Sequence, residues 1–483
     1  MKKVLIKIGL FFLGLVITLS PFAVFAISFF NQSHIYSKTY YAALVDKVHY
    51  LNTLKKEKKI ILIGGSNVAF GFNSELIEEE FKEYKVVNFG LYAMLGTKIM
   101  MDLAVDYISE DDLVFIIPEI NSQSTSLYFD PIATLKAVED DFDLVKKLPQ
   151  DNRDSILGNI LNFYNLRKSQ KEIISPSGVY QRKNFNKYGD ILYEEVDNND
   201  VSLRARNRMS LRFDPSMMVD YSYQINEDFY NYLNKYHVKV NAKKAKLYYS
   251  FSPVNEKAVM NENSVSSYYW SIREHLSFPV IGNPNEYIFD AHYFYDSNFH
   301  LNDSGAVLRS YVFAEDIYRD VFNESKAPSF ELPTMPNYPK EETVDGEDSE
   351  SAKYFEYSEE ENGYSITSIK DGVTNEEIVL PSIYNHKRVL GIKSQAFSSS
   401  TALKTIIVPT SYSYFENGAF DNCLSLTKVY LKQEEANRIN VDFSGGLISN
   451  VNPAFKIYVP SNSYQSYLTD YYWQFYQNYL EGY

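Results

Sequence analysis

Apolar positions along this chain follow three different rhythms. The first is a continuous run. After Met1-Lys2-Lys3 the chain is largely apolar, broken by Lys7, and from Ile8 to Phe30 there are 23 residues without a charge. A helix of about 20 residues spans the hydrocarbon core of a bilayer. The run therefore predicts a cytoplasmic tail at 1–7 and a transmembrane anchor over 8–30. Three lysines flank or precede it and no acidic residue appears before Asp46. By the positive-inside rule this is a single-pass cell-membrane protein with the bulk of the chain extracellular. Val24-Phe25-Ala26 keeps a cleaved signal peptide as the alternative. Against it, the apolar run continues through Ile27, Phe29 and Phe30, longer than a usual signal core.

The second rhythm alternates strand and helix. Lys59-Ile60-Ile61-Leu62-Ile63, ending in Gly64-Gly65, reads as a buried strand. Ser74 caps a helical pattern running to about Tyr84. Lys85 to Gly90 is the next strand, Thr97 to Ile108 the next helix, and Leu113 to Ile117 a third buried strand stopped at Pro118. This order predicts an α/β fold, a parallel sheet with right-handed crossovers flanked by helices. Residues 121–220 are polar and Tyr-rich and read as a helical insertion. The alternation resumes with a helix near Glu227 to His237, a strand from Leu247 to Phe251 and a helix near Val265 to Leu276. A capped closing helix follows from Asp303 to Val321. The domain so defined covers 31–325.

At 326 the pattern breaks. Pro328, Pro333, Pro336 and Pro339 lie within twelve residues, and ten Asp or Glu fall between Glu341 and Glu361 against one Lys. Such a stretch is stiff and self-repelling, which makes 326–354 a linker with no core of its own. The third rhythm, over 355–483, is a repeat. Ala396-Phe397 recurs as Ala419-Phe420, 23 residues on; Leu403 and Leu426 sit six residues after each Phe, Val408 and Leu431 eleven after. Each unit is then a short strand and a turn stacked on its neighbour, forming a small solenoid that stands apart from the α/β domain. Ile407-Val408-Pro409 and the run from Asn417-Gly418-Ala419-Phe420 to Leu426 resemble the BspA-type leucine-rich repeats of bacterial surface proteins. Ile457-Tyr458-Val459-Pro460-Ser461 with Tyr467 is similar to the closing unit of such arrays. The resemblance covers about 355–480 and implies an adhesive or structural role, with no catalytic residue in the repeats.

Composition narrows the partners. The 483 residues are 45% apolar, enough for sizeable cores, and carry a net charge of −15. That argues against nucleic acid, because a phosphate backbone selects clustered Lys and Arg. Much of the acidity sits in the linker, so neutral glycans stay open as ligands. The single cysteine, Cys423, excludes an internal disulfide and Cys-pair zinc sites. No metal and no cofactor is expected.

Two segments carry candidate chemistry. Gly64-Gly65-Ser66-Asn67 places Ser66 at the carboxyl end of a parallel strand, where α/β sheets bind ligands; a plain tight turn is the simpler account of it. Phe294-Tyr295-Asp296-Ser297-Asn298-Phe299-His300 offers a base and an orienting acid from one loop, as a serine nucleophile requires. A half-exposed histidine in a capped turn is the plain alternative, and Asp290 is the fallback acid. Together the segments resemble the SGNH/GDSL hydrolase superfamily over about 55–320, in a membrane-anchored branch similar to the D-alanyl transfer protein and polysaccharide O-acetyltransferases. The resemblance implies Ser66 as nucleophile, His300 as base, Asp296 as orienting acid and Gly90 as oxyanion donor, with Asn121 as a candidate side-chain donor. Two features depart from the family pattern. Ser297 stands where the family has its acid, three residues before the histidine. Pro118-Glu119-Ile120-Asn121 replaces the third-block asparagine motif, and a polar strand exit is the plain account of Glu119 and Asn121. The implied activity is a serine acyl esterase or O-acyltransferase acting on cell-envelope glycan or teichoic acid through an acyl-serine. A membrane acyl-transporting protein is implied as a further partner. The competing expectation is a surface adhesion protein whose SGNH-like domain is catalytically inactive.

Overall fold

The computed structural model describes residues 2–170, 172–176, 179–192, 217–336, 348–360, 363–441, 446–470 and 472–483. In the first helix it describes side chains at 7, 10–11, 14–15 and 17–30, and it leaves out the side chain of Asn437. Most of the acidic part of the linker (337–347) and the end of the insertion (193–216) lie outside the described residues.

Two modules make up the chain, the first with a core on either face of its sheet. The first surrounds a four-stranded sheet of β1 (Lys59–Gly64), β2 (Lys85–Gly90), β3 (Leu113–Ile117) and β4 (Lys246–Tyr249), ordered β2-β1-β3-β4. All neighbours are parallel, with Ile60 opposite both Val86 and Leu113, and Phe115 opposite Tyr248. Every position of β1 and β3 is buried. This is why the two strands read as unbroken apolar runs: a parallel sheet is covered on both faces. Ile61, Ile63, Val87, Phe89, Val114 and Ile116 face the larger core. Ile60, Leu62, Val86 and Phe115 face a smaller one, sealed by Phe313 of the closing helix, whose ring lies 4.9 Å from that of Phe115.

The helices follow the sequence pattern with shifted ends. After α1 (Lys2–Phe30), α2 (Ala43–Thr53) and the four-residue α3 (Ser66–Ala69) comes α4 (Ser74–Glu80). Its cap is Asn73, which accepts from the Leu76 amide at 3.2 Å, rather than Ser74, whose hydroxyl goes to Asp190. Helix α5 (Thr97–Ala104) tightens into a 3-10 turn before β3. The insertion is helical in its first half, as α6 (Pro131–Ala137), α7 (Gln150–Gly158) and α8 (Ile160–Ser169). Then come α9 (Glu227–Ala242), α10 (Val265–His275) and α11 (Asp303–Asp316), the last capped by Asn302 onto the Gly305 amide.

Helix α1 carries lysines at 2, 3 and 7 and Pro21 in its interior. Among the described residues no helix is long and apolar enough to cross a membrane, so the structure lends the transmembrane reading of 8–30 no support. The end of α1 is instead docked on the insertion. Phe29 is buried against Phe142 and Phe163, Phe25 lies 5.1 Å from Tyr164, and Arg167 donates to Phe29 O and Gln32 O.

The second module, the repeats, has a core of its own. One sheet is parallel throughout: β7 (Glu377–Val379), β10 (Thr405–Val408), β12 (Lys428–Leu431), β13 (Lys456–Val459) and β14 (Leu480–Gly482). The other joins β5 (Phe355–Glu360), β6 (Gly363–Ile369), β8 (Ile383–Tyr384) and β9 (Lys387–Ile392), with β11 (Tyr414–Phe415) paired to β9. Register reproduces the sequence period: Val408 pairs with Leu431, and Gly391 with Tyr414. Phe397 and Phe420 stack at 6.0 Å and 12°, both buried, as are Leu403 and Leu426. Helix α12 (Tyr464–Thr469) buries Tyr467, whose hydroxyl donates to Gln433 O at 2.8 Å.

The start of the linker is not free chain. Ser329 donates its amide to Glu80 Oε2 at 2.8 Å, Lys326 reaches Glu80 Oε1 at 3.3 Å, and Phe330 packs on Tyr311.

Candidate active site

The turn from β1 into α3 is built to present Ser66. Gly64 leaves no room for a side chain: a Cβ there would lie 2.5 Å from Ile117 O and from Val68 Cγ2. Asn67 fastens the turn on both sides. Its Nδ2 donates to Ile117 O and its Oδ1 accepts from the Gly65 amide, each at 3.0 Å. Ser66 is buried, and its Oγ donates to Glu119 Oε1 at 3.0 Å. The Asn67 amide reaches the same oxygen at 3.3 Å.

Gly90 closes β2 opposite Gly64 and donates its amide to Asn88 Oδ1 at 3.1 Å. A Cβ on it would lie 2.7 Å from Ala69 N and Gly65 O and still closer to Val68. Gly90 therefore lets β2 and the Ser66 turn approach. Asn121 donates to Glu119 Oε2 at 3.2 Å, and its Oδ1 accepts from the Ser124 amide.

The second segment folds as a tight loop pinned by a bridge between Phe294 and Leu301. Ser297 Oγ accepts from the amides of Phe299 and His300, each at 3.2 Å. This gives the unusual spacing a physical reason. The position three residues before the histidine holds the turn together, and Asp296, one residue earlier, reaches His300 Nδ1 at 2.7 Å. The other carboxylate oxygen, Oδ2, accepts from Tyr180 at 2.5 Å, and the Tyr180 hydroxyl lies 3.3 Å from the same ring nitrogen. Phe70 stacks on the imidazole at 4.2 Å and 9°. His300 is only 4% exposed, which overturns the half-exposed alternative. Asp290, the fallback acid, pairs with His292 Nδ1 at 2.6 Å.

These parts meet in one cleft, lined by Ser66, Glu119, Asn121, Ser297 and His300 among others. Among the described residues no hydrogen bond joins Ser66 to His300; the serine is turned to Glu119. Tyr40 sits beneath, its hydroxyl held well above the usual range by burial and then by the carboxylates of Glu119 and Asp296. The repeat module also takes part: Tyr472 lines the same cleft. The solenoid therefore does not stand clear of the site, contrary to the expectation from its sequence. Glu119, Tyr180, Phe70 and Tyr472 were not readable as site residues, because nothing in the period or spacing of one sequence ties them to Ser66. Among the described residues no cluster of His, Cys, Asp or Glu is arranged to hold a metal ion.

The outer part of the chain has a known counterpart. Residues 355–458 match the BspA type leucine rich repeat region, in six copies. The BspA-type repeats thus begin at β5 and end in β13, leaving α12, Tyr472 and β14 beyond the matched segment. No curated protein and no solved structure matches the chain.

Proposed function

We propose that this protein is a serine acyl esterase or O-acyltransferase of the SGNH/GDSL type, with Ser66 as nucleophile and the Asp296–His300 pair as a proton carrier of the same cleft. The observation that carries the reading is the cleft itself. A strand-end serine and a histidine far along the chain share one small space, the histidine fixed by a carboxylate, a phenol and a stacked ring. Fixing one imidazole nitrogen leaves the other to move protons, as acyl transfer through an acyl-serine requires. Water then yields hydrolysis, and a glycan hydroxyl yields transfer.

The acceptor we infer is a cell-envelope glycan or teichoic acid, reached from the outer face of a membrane. Support comes from α1. Leu10, Phe11, Ile17, Leu19, Phe22, Val24, Ile27 and Phe30 are exposed on it, and apolar surface of that extent calls for cover. The BspA-type repeats would hold the enzyme near its polymer.

The test is a serine-directed fluorophosphonate probe with p-nitrophenyl acetate hydrolysis alongside. Wild type should label and Ser66→Ala should not. Asp296→Asn should lower kcat by on the order of 10²–10⁴, the usual worth of a positioned acid–base group. Equal activity of Asp296→Asn and wild type would remove the acid from the mechanism. Absence of labelling in wild type would leave the adhesion role of the repeats as the better account.

A further inference from the structure

The contact that Ser66 makes is with a carboxylate, and it has a direction. An ionised carboxylate only accepts hydrogen bonds, so the hydrogen in the 3.0 Å contact is the serine's own, pointed at Glu119 Oε1. Glu119 is 3% exposed. The bonds it receives come from neutral donors: the Ser66 hydroxyl, the Asn67 amide and Asn121 Nδ2. Gly65 makes room for it, since a Cβ there would sit 3.0 Å from Oε1. On the other side of the cleft, His300 has Nδ1 engaged by Asp296 at 2.7 Å. The site thus holds two proton carriers, and only one of them bonds to the nucleophile.

Resting on the serine-acylation reading above, we propose that Glu119 is the general base for Ser66, and that His300 serves the other alcohol. In acylation the Ser66 Oγ–H proton passes to the Glu119 carboxylate as Oγ bonds to the acyl carbon. The bond from that carbon to the leaving oxygen breaks, and the leaving alkoxide takes a proton from protonated His300. In the second half the acceptor hydroxyl, or water, gives its proton to His300 as its oxygen attacks the acyl carbon. The bond to Oγ breaks, and Oγ recovers its proton from Glu119. Both carriers return to their starting states, and no proton is created or lost. Each carrier handles one alcohol throughout, so neither has to reorient between the two half-reactions.

Leaving-group dependence separates this arrangement from a conventional serine–histidine pair. A p-nitrophenolate leaves without needing a proton, whereas a simple alkoxide does not. In the full chain, Glu119→Gln should slow both fluorophosphonate labelling and the p-nitrophenyl acetate burst by on the order of 10²–10⁴. Glu119→Asp, which keeps the carboxylate, should recover part of that rate. His300→Asn should slow hydrolysis of an alkyl acetate by on the order of 10²–10⁴ and slow the p-nitrophenyl acetate burst by a much smaller factor, since a nitrophenolate leaves without a proton. Melting curves should show Glu119→Gln and Glu119→Asp equally folded. If Glu119→Gln labels at the wild-type rate while His300→Asn does not label, His300 is the base and the proposal falls. If Glu119→Gln is unfolded, the alkyl-to-nitrophenyl rate ratio in His300→Asn decides: an unchanged ratio overturns the proposal and a raised selectivity for the nitrophenyl ester supports it. Failure of wild type to label at all would sink the serine-acylation reading itself, a result distinct from these.

Discussion

The two modules of this chain bury apolar side chains over very different sequence separations. In the repeats, stacking joins residues one period apart: Val408 to Leu431, Phe397 to Phe420, the Ser413 hydroxyl to Leu390 O. In the α/β module, the contacts that make the cleft join Ser66 to Glu119 across 53 residues and Tyr180 to Asp296 across 116. A periodic module can lose or gain a unit and keep its contacts, because each unit sees only its neighbours. A cleft assembled from four distant segments has no such tolerance. It follows that a lesion in the repeats should cost stability locally, and a lesion beside the cleft should cost activity first.

The largest effect should come from Phe420→Ala. Phe420 is fully buried between Phe397 and Phe455, with Phe415 at 5.5 Å. Removing a buried Phe ring costs about 3–5 kcal/mol, more than a short array can absorb. Calorimetry should show loss of the repeat transition while the α/β transition persists. Cooperative loss of both would erase the comparison drawn above. Gly90→Ala should follow, at about 1–3 kcal/mol for overpacking, because its Cβ would press on the backbone of Gly65 and Ala69. Here melting should shift modestly while esterase activity falls much further, since the displaced element carries Ser66.

A smaller effect tests where the modules meet. A chain ending at Pro336 keeps the whole α/β core and the Glu80 tether but loses Tyr472 from the cleft. It should melt like the α/β module of the full chain, and KM for p-nitrophenyl acetate should change by about tenfold or less, with kcat preserved. A large fall in kcat would make the solenoid a catalytic part rather than a wall.

What the sequence made legible follows the same division. The 23-residue period named Phe397, Phe420, Leu403 and Leu426 as equivalent buried positions because identical environments recur. Unbroken apolar runs located β1 and β3, because a strand covered on both faces has no polar side. Ser66 and the Asp296–His300 pair were readable as strand end and loop, and the structure brings Ser66 and His300 into one cleft with Asp296 bonded to the histidine. Glu119 was read as a polar strand exit: its partner is remote in sequence, and a single acid after a strand carries no periodic signal. The linker boundary was blurred for a related reason. Proline and acid content describe local stiffness, whereas residues 326–330 are held by Glu80, a contact no composition predicts.

That tether yields the smallest and most local prediction. Burial alone pushes the Glu80 carboxyl up, but bonds from Ser329, Tyr318 and Lys326 outweigh it and bring it down to about 2. An undocked Glu titrates near 4.3. A carboxyl whose folded value is depressed contributes stability that is present above the unfolded value and is lost as pH falls through the folded one. The docked tail should therefore be fully held at pH 5 and above, and should loosen progressively between about pH 4.3 and 2. Hydrogen exchange at the Ser329 amide, normalised to the buried amides of β1, should rise across that window. In Glu80→Gln the same amide should exchange quickly at every pH, with β1 unaffected. Protection of Ser329 that stays flat from pH 5 to 2 would mean that the tail is held by Pro328 and Phe330 packing instead. In that case the linker's first residues would belong to the α/β core on apolar grounds.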